Sequence, residues 1–347
     1  MAGVMIQTGG TASTTIVRLD EAPTAAVRAY LEARGYAPEY VAWKYFDDVF
    51  NAGRNRGFVA LADGEVVGFI GLIPFRADVA GTRVDTAWTC DWSVEDAKAG
   101  PTAGLMLLKK ATQAHAHVYH IGGNDITFRI YSRLAAYTDA EAACDYVLRL
   151  RLASQLDRLV ARKPRYAPLA AVPGVGRIPI KRSALRGGEA LAVEPGASAA
   201  TLDALAAHRA SGPVAPAYDG AYIDWQIGRC PGCSYMSCVG PDGAVGFLWQ
   251  SRERPKQARI ALFAGEGQGE RVLRSLARAA DSAGAESIRL RAASADAEMR
   301  TLLTGLGFEE KQSLPYFAFS TAPVPGPATT MASLSYLDVD EAGLDWL

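Results

Sequence analysis

His117-Val-Tyr-His-Ile-Gly-Gly-Asn124-Asp-Ile-Thr-Phe-Arg-Ile-Tyr131-Ser-Arg-Leu-Ala-Ala-Tyr137 divides into an apolar run, a pair of glycines and an amphipathic repeat. The apolar run His117–Ile121 reads as a strand that stops at Gly122-Gly123. Asn124 is a good helix N-cap, because its side-chain oxygen can accept from the first free backbone N–H groups. Ile126, Ile130, Leu134 and Tyr137 then recur at helical spacing. The chain therefore leaves a strand, turns on glycine, and enters a short amphipathic helix that carries Thr127 and Tyr131.

The elements before this segment fall into a simple order. Thr15–Leu19 reads as a first strand, Ala25–Arg34 as a helix closed by Gly35, and Tyr40-Val-Ala-Trp43-Lys as a second helical pattern. Gly57–Ala62 and Glu65–Gly71 flank Asp63-Gly64, a dipeptide suited to a type I′ hairpin turn. A strand around Phe75–Ala80 leads through Gly81 into Val84–Val94, and Thr102–Ala116 reads as a helix. Cys144–Leu150 is the last strand of this half.

The second half repeats the plan. Tyr222-Ile-Asp-Trp225-Gln matches Tyr40-Val-Ala-Trp43-Lys, and Asp242-Gly-Ala-Val-Gly-Phe-Leu matches Asp63-Gly-Glu-Val-Val-Gly-Phe-Ile. A strand at Ala258–Phe263, a helix at Glu270–Ala283, a strand at Ser287–Arg291, a helix at Ala295–Leu303 and a closing strand at Pro315–Ser320 follow. Matched units in the same order indicate internal duplication. The paired Trp43 and Trp225 read as core.

Asn, a small residue three positions on and Tyr seven positions on resemble the fourth helix of the GNAT N-acetyltransferase superfamily, with Ala135-Ala136 where that family usually has Gly-Phe. The resemblance implies an α/β (α+β) fold of two tandem GNAT-like domains, each a mixed, mostly antiparallel central sheet flanked by helices. The boundaries expected are 1–160 for a catalytic first domain, 161–187 for a basic Pro/Gly linker, 188–322 for a degenerate second domain and 323–347 for a tail. Ser333-Leu-Ser-Tyr-Leu-Asp-Val-Asp in that tail is expected to dock on the body.

The resemblance also implies a co-substrate, acetyl-CoA or another acyl-CoA, and a role for particular residues. Ala99-Gly100-Pro-Thr102-Ala103-Gly104 lies between a strand and a helix, where backbone N–H groups and the helix dipole suit a pyrophosphate. Gly265-Glu-Gly267-Gln-Gly269 is its counterpart in the second half. Asn124 and Thr127, which open the neighbouring helix on the same side, are expected to contact the cofactor as well. Tyr131 would protonate the departing thiolate, since a phenol with an unperturbed pKa of about 10 stays protonated at neutral pH. Aligned on Gly307-Phe308, the second half offers Asp296 and Leu303 in place of Asn124 and Tyr131, so the first half is read as catalytic.

A base must take the ammonium proton. Asp91 is the first candidate, because an acid inside the aromatic run Trp88-Thr-Cys-Asp-Trp92 needs a reason to be there, and His120 and Glu95 are the others. Backbone N–H groups near Ser93, Val94 and Glu95 would polarise the thioester carbonyl. Each residue also has a plainer structural reading. These are Asp91 paired with a Lys or Arg, Tyr131 packed on the sheet, and each glycine loop an ordinary strand-to-helix turn.

Composition limits the other readings. The chain has 347 residues and a formal net charge of -1, which argues against a general nucleic-acid binder. No run reaches the roughly 18 apolar residues of a membrane span, and no secretory signal precedes the first strand. Five cysteines without framework spacing suit a reducing compartment, so the cytoplasm is expected. Cys230-Pro-Gly-Cys233 has no answering Cys or His pair, so no metal site is expected. From Arg149 to Gly188 ten Lys and Arg face one acid, Asp157. The resemblance thus implies acyl-CoA-dependent N-acylation of a small-molecule amine, with an amino sugar of polysaccharide or natural-product synthesis as the example. Two alternatives are a Fem-like transferase drawing its acyl group from aminoacyl-tRNA, favoured by the basic connector, and a non-catalytic acyl-CoA-binding protein.

Overall fold

The computed structural model describes residues 14–320 apart from 101, 179–184, 186, 208–213, 253 and 264–268. The expected tail contact and the 265–268 part of the second glycine loop lie outside the described residues.

The first half comprises β1 (Thr14–Arg18), α1 (Thr24–Glu32), α2 (Pro38–Phe46), β2 (Gly57–Ala62), β3 (Glu65–Val79) and β4 (Thr82–Val94). Helix α3 (Ala103–Thr112), β5 (His117–Ile121), α4 (Asp125–Leu134) and β6 (Tyr137–Arg149) complete it. Helix α5 (Leu152–Arg162) opens the basic connector, whose backbone then forms short helical turns. The second half comprises β7 (Glu194–Pro195), α6 (Ala199–Ala207), β8 (Val214–Ala217), β9 (Cys233–Val239), β10 (Val245–Ser251) and β11 (Gln257–Phe263). Helix α7 (Gly269–Ser282), β12 (Ser287–Ala293), α8 (Ala297–Gly305) and β13 (Glu309–Ser320) end it.

The Asp63-Gly64 turn forms as expected, with φ of +50° and +83° at its two central residues. Two sequence expectations change. The strand at Phe75–Ala80 is the far end of β3, which runs unbroken from Glu65. The helical spacing up to Tyr137 stops at Leu134, because Tyr137 already pairs with Ala318 as the start of β6. That long-range ladder takes the residue from the helix.

Among the described residues the strands form one sheet in the order β1-β2-β3-β4-β5-β13-β6-β12-β11-β10-β9-β7, with β8 added on β3. Each half ends by giving its last strand to the joint. β13 pairs antiparallel with β5 of the first half, and β6 pairs antiparallel with β12 of the second. The closing strand expected to finish the second half therefore finishes the sheet of the first. β6 and β13 also pair with each other, so the two halves share one continuous ladder.

Alternation along the strands gives the sheet two faces. Helices α3 and α4 cover one face of the first half through Ala60, Ile70, Leu72, Ala87, Val118 and Leu107. On the second half, α7 and α8 pack against Tyr146, Leu148, Ile260, Ile288 and Leu290. The alternation of β6 and β13 places both packings on the same side. The opposite side is covered by α1 and α2 through Val27, Leu31, Val41, Val59 and Phe69.

An approximate two-fold axis passes between the halves and is marked by the duplicated tryptophans. Trp43 and Trp225 stack with centroids 4.6 Å apart and planes 10° from parallel. Trp43 Nε1 donates to the Trp225 carbonyl at 2.9 Å, and Trp225 Nε1 donates to the Trp43 carbonyl at 3.1 Å. Phe50 stacks on the far side of Trp225 at 4.5 Å. These rings are core, and the core in question is the joint itself. Arg229 and Asp47, again at equivalent places, close the rim with an ion pair of 2.7 Å.

Candidate active site

The site forms where β4 and β5 part. Their parallel pairing covers Thr86–Trp88 against His117–Tyr119 and then stops, while β4 continues to Val94. In the same stretch β4 carries a bulge. Its pairing with β3 jumps from Gly71↔Cys90 to Phe69↔Ser93, and Asp91 sits at φ +48°, the left-handed region that a non-glycine residue occupies only under constraint.

The constraint is visible on the α2 side of the sheet. Asp91 accepts from Lys44 Nζ at 2.5 Å and from Tyr36 Oη at 2.9 Å, and the Tyr45 hydroxyl also donates to it. Lys44 Nζ additionally donates to Tyr40 Oη at 2.9 Å, and its side chain is 1% exposed. Burial would raise the Asp91 pKa, but Lys44 and the donated hydrogen bonds outweigh it and hold the carboxyl below the usual range. Arg56 lies behind this group, donating through Nε to the Lys44 carbonyl at 3.0 Å, and burial pulls its guanidinium down to about 10. The plainer reading of Asp91, a paired acid, is the one the structure contains. Its three donors leave it a weak proton acceptor, and their joint effect is to pin the bulge.

Tyr131 and His120 meet on the other face. Tyr131 is fully buried, edge-on to His120 at 4.6 Å and ringed by Trp92 at 5.6 Å, Phe317 at 5.5 Å and Phe319 at 5.3 Å. Its hydroxyl has no hydrogen-bond partner among the described residues. Burial pushes the phenol above its ordinary pKa, partly offset by the nearby Thr89 hydroxyl. His120 Nδ1 lies 3.0 Å from the Thr89 carbonyl and 2.9 Å from its hydroxyl. A proton on Nδ1 satisfies that carbonyl and leaves Nε2, which is buried and unpartnered, as an acceptor. Burial draws the His120 pKa down to about 4, so the ring is neutral at physiological pH.

The start of α3 lies against the same groove. Gly100 turns the chain at φ +77°, Thr102 is the N-cap without a side-chain capping bond, and Ala103 is buried. A Cβ on Gly104 would stand 3.3 Å from the Trp92 ring and 3.4 Å from Val94, so a bare backbone lets α3 approach β4 closely. No acidic residue lies in the first turn of α3, which leaves its dipole free for an anion.

The remaining expected residues serve the frame around this groove. Asn124 Oδ1 accepts from Ile126 N at 3.0 Å, Thr127 N at 2.9 Å and Thr127 Oγ1 at 3.2 Å, so both side chains are spent on starting α4. The Ser93 carbonyl accepts from Tyr30 Oη at 3.3 Å, and Val94 packs under α3. Glu95 N donates to the Val67 carbonyl at 2.8 Å, while its carboxylate pairs with Lys98 at 3.4 Å on the exposed rim. The structure therefore gathers Tyr131, His120, Val94, Ala103 and Gly104 on one side of the sheet and places Asp91 on the other.

Sequence reasoning missed Thr89, which orients His120, and the trio Tyr36, Lys44 and Tyr45, which hold Asp91. Lys44 gave a signal, as a lysine on the apolar side of Tyr40-Val-Ala-Trp43-Lys44-Tyr-Phe, and a buried lysine requires an acid. Phe317 and Phe319 gave none, because they reach the site only through the strand exchange.

At the matching place in the second half Asp296 caps α8, accepting from Met299 N at 2.8 Å, as Asn124 caps α4. Leu303 fills the position of Tyr131 and is fully buried.

A β4 bulge beside strands that part, a glycine-bearing helix start and a buried tyrosine on the next helix define the GNAT fold, here in its tandem form. Solved structures bear this out at the level of fold. A probable N-acyltransferase from Enterococcus faecalis aligns with a TM-score of 0.55 at 11% identity, over 88% of this chain and 72% of its own. N-myristoyltransferase from Saccharomyces cerevisiae, determined with myristoyl-CoA and inhibitors, aligns at 0.53 and 11% identity, over 93% and 86% of the two chains. A tandem GNAT protein from the clavulanic acid biosynthesis pathway aligns at 0.50 and 14% identity, over 90% and 99%. No protein-family model matches the sequence, and no curated protein does. No helix among the described residues is long and apolar enough to cross a membrane.

Proposed function

We propose that this protein is an acyl-CoA-dependent N-acyltransferase whose first half carries the chemistry. The observation that carries this reading is the pair Tyr131 and His120, two buried, unpartnered polar groups side by side where β4 and β5 part. Such groups cost about 1–3 kcal/mol each when left unsatisfied, a cost that a reacting ligand would relieve.

The acyl-CoA pyrophosphate would lie on the Gly100–Gly104 turn and the thioester between β4 and α4. The amine attacks the carbonyl carbon, and the proton it becomes able to lose passes to His120 Nε2. Collapse of the tetrahedral intermediate breaks the C–S bond, and Tyr131 protonates the departing thiolate. The proton on His120 then returns to the Tyr131 phenolate, which restores both groups. Asp91 acts as a positioning residue that fixes the bulge. The acceptor is a small amine, with an amino sugar as the first to try.

Thermal unfolding with and without CoA and a series of acyl-CoAs tests the donor, since a ligand at a hundred times its dissociation constant stabilises by about 2.7 kcal/mol. Release of free thiol with a panel of amines tests the acceptor. Unchanged melting with every thioester would overturn the reading. The exposed basic residues Arg162, Lys163 and Arg165 favour the aminoacyl-tRNA alternative, and salt-dependent retardation of tRNA would then move the assignment there.

A further inference from the structure

The face of the second half opposite α7 and α8 carries a cleft that the acyl-transfer reading does not use. It encloses about 470 Å3 and is walled by Arg149, Arg289, Lys256, Lys311, Asp145 and Glu286. Its floor is made by the central strands β6, β11 and β12, so its geometry is fixed by the sheet rather than by loops.

Arg259 and Arg289 are registered partners across the parallel pair β11–β12, with backbones about 4.8 Å apart. Like charges directly opposite on one sheet face destabilise it unless something answers them. Arg259 is 5% exposed and its guanidinium stands 6.0 Å from the Trp249 ring, which gives it a cation–π contact. Arg289 has no ion pair among the described residues. The carboxylates around it are already engaged. Asp145 accepts from Arg291 Nε at 2.8 Å and Nη2 at 3.2 Å, and Glu286 pairs with Lys256 at 2.9 Å. Glu309, across β6 from Arg289, pairs with Lys311 at 2.6 Å and with Arg149 at 3.8 Å.

The corresponding parallel strand pair of the first half, β4–β5, shows what a purely structural solution looks like. Trp88 and Tyr119 are registered partners there, and with Phe75 and Tyr316 they fill the face with aromatic rings whose centroids lie 5.5–6.3 Å apart, stacked for Phe75–Trp88 and tilted or edge-on for the others. The second half has two arginines and an open cleft in place of that plug.

We infer that this cleft binds a small molecule through an oxyanion, a phosphate or a carboxylate, held by the fork of Arg289 and supported by Arg149. Planar guanidinium groups pair with either anion bidentately. Ser287, Gln257 and Gln312 line the same cleft and can hydrogen-bond the rest of such a ligand. This site lies on the face away from Tyr131, so it is separate from the acyl-CoA groove and does not depend on the function proposed above.

The test is thermal unfolding of the full-length chain in sodium phosphate and in sodium succinate, each against sodium chloride of equal ionic strength, with CoA present in excess. A saturable rise in melting temperature with phosphate would assign a phosphoryl ligand, and one with succinate a carboxylate. Arg289→Gln is expected to raise the anion concentration needed at least tenfold, and to leave the chain no less stable in chloride. Arg149→Gln, where the side chain already pairs with Glu309, is expected to weaken the response by a smaller factor. Any shift caused by CoA alone should survive both substitutions. An anion response equal in wild type and both variants, or no response beyond chloride to either anion, would overturn the proposal.

Discussion

The two halves share a plan and differ in the residues that fill it, and each difference has a physical logic. Lys44 and Gln226 both follow the dyad tryptophans and are both buried. Lys44 has Asp91 opposite it, held in the β4 bulge, whereas β11 pairs with β10 without a register shift. A buried ammonium needs a carboxylate, and Gln226, a neutral amide, needs none. Tyr131 and Leu303 fill the same hole with and without a hydroxyl. Along the parallel strand pair of each half, the first carries Trp88 and Tyr119 as a plug and the second Arg259 and Arg289 beside a charged cleft. Duplication has kept what the joint requires, the stacked tryptophans, and released what the joint does not constrain.

The joint itself should show the largest effects. Trp43→Ala and Trp225→Ala are each expected to destabilise by about 3–5 kcal/mol, by loss of burial and stacking. Because the rings contact each other, the double variant should lose clearly less than the sum in a denaturant-unfolding cycle. Additive losses would mean that the dyad contact contributes little.

Lys44→Met should cost about 3–5 kcal/mol by stranding Asp91 as a buried charge. Gln226→Met should be neutral or stabilising by about 1 kcal/mol, since both amide atoms of Gln226 are buried without a partner. Equal effects at the two positions would break the comparison.

Histidine titration gives the next effect. The folded-state pKa of His120 is depressed to about 4, so the unfolded chain binds the proton more readily at mildly acid pH. Its contribution to stability is complete above about pH 6.5 and is lost as the pH falls toward 4, amounting to about 3 kcal/mol. His115 and His117, also depressed by burial, add in the same direction. His120→Asn should flatten the stability profile between pH 7 and pH 5, and a profile unchanged from wild type would contradict the burial of that ring.

Tyr131→Phe should lower kcat by about 100-fold while leaving the melting temperature within a degree or two, since only an unpartnered hydroxyl is removed. Leu303→Met, the volume-matched change in the other half, should cost under about 1.5 kcal/mol in stability and nothing in kcat. A rate effect at Leu303 that matched the one at Tyr131 would erase the division between a reacting and a structural half.

Much of this was legible in the chain. The Asp63-Gly64 hairpin, the strand at His117–Ile121, the Asn124 cap and the repeat of Trp43 at Trp225 depend on neighbours in sequence, and they stand where expected. The candidate site was legible in part. Tyr131 and His120 were found, and they meet. Asp91 was found for a sound reason, an acid among aromatics, but its partners Lys44, Tyr36 and Tyr45 lie 46 to 55 residues away. That distance hid its role.

Sequence alone determined the order of elements, the duplication and the asymmetry between Tyr131 and Leu303. These are written in turn chemistry, periodicity and residue type, all of which act over a few residues. Only the tertiary structure decided that β13 would lie between β5 and β6, that Phe317 and Phe319 would wall the site, and that Arg259 would face Arg289. Strand pairing is a backbone interaction blind to residue identity, so any exposed edge can accept any strand. The choice among edges is made by burial summed over the whole sheet, and no local stretch of the chain contains that sum.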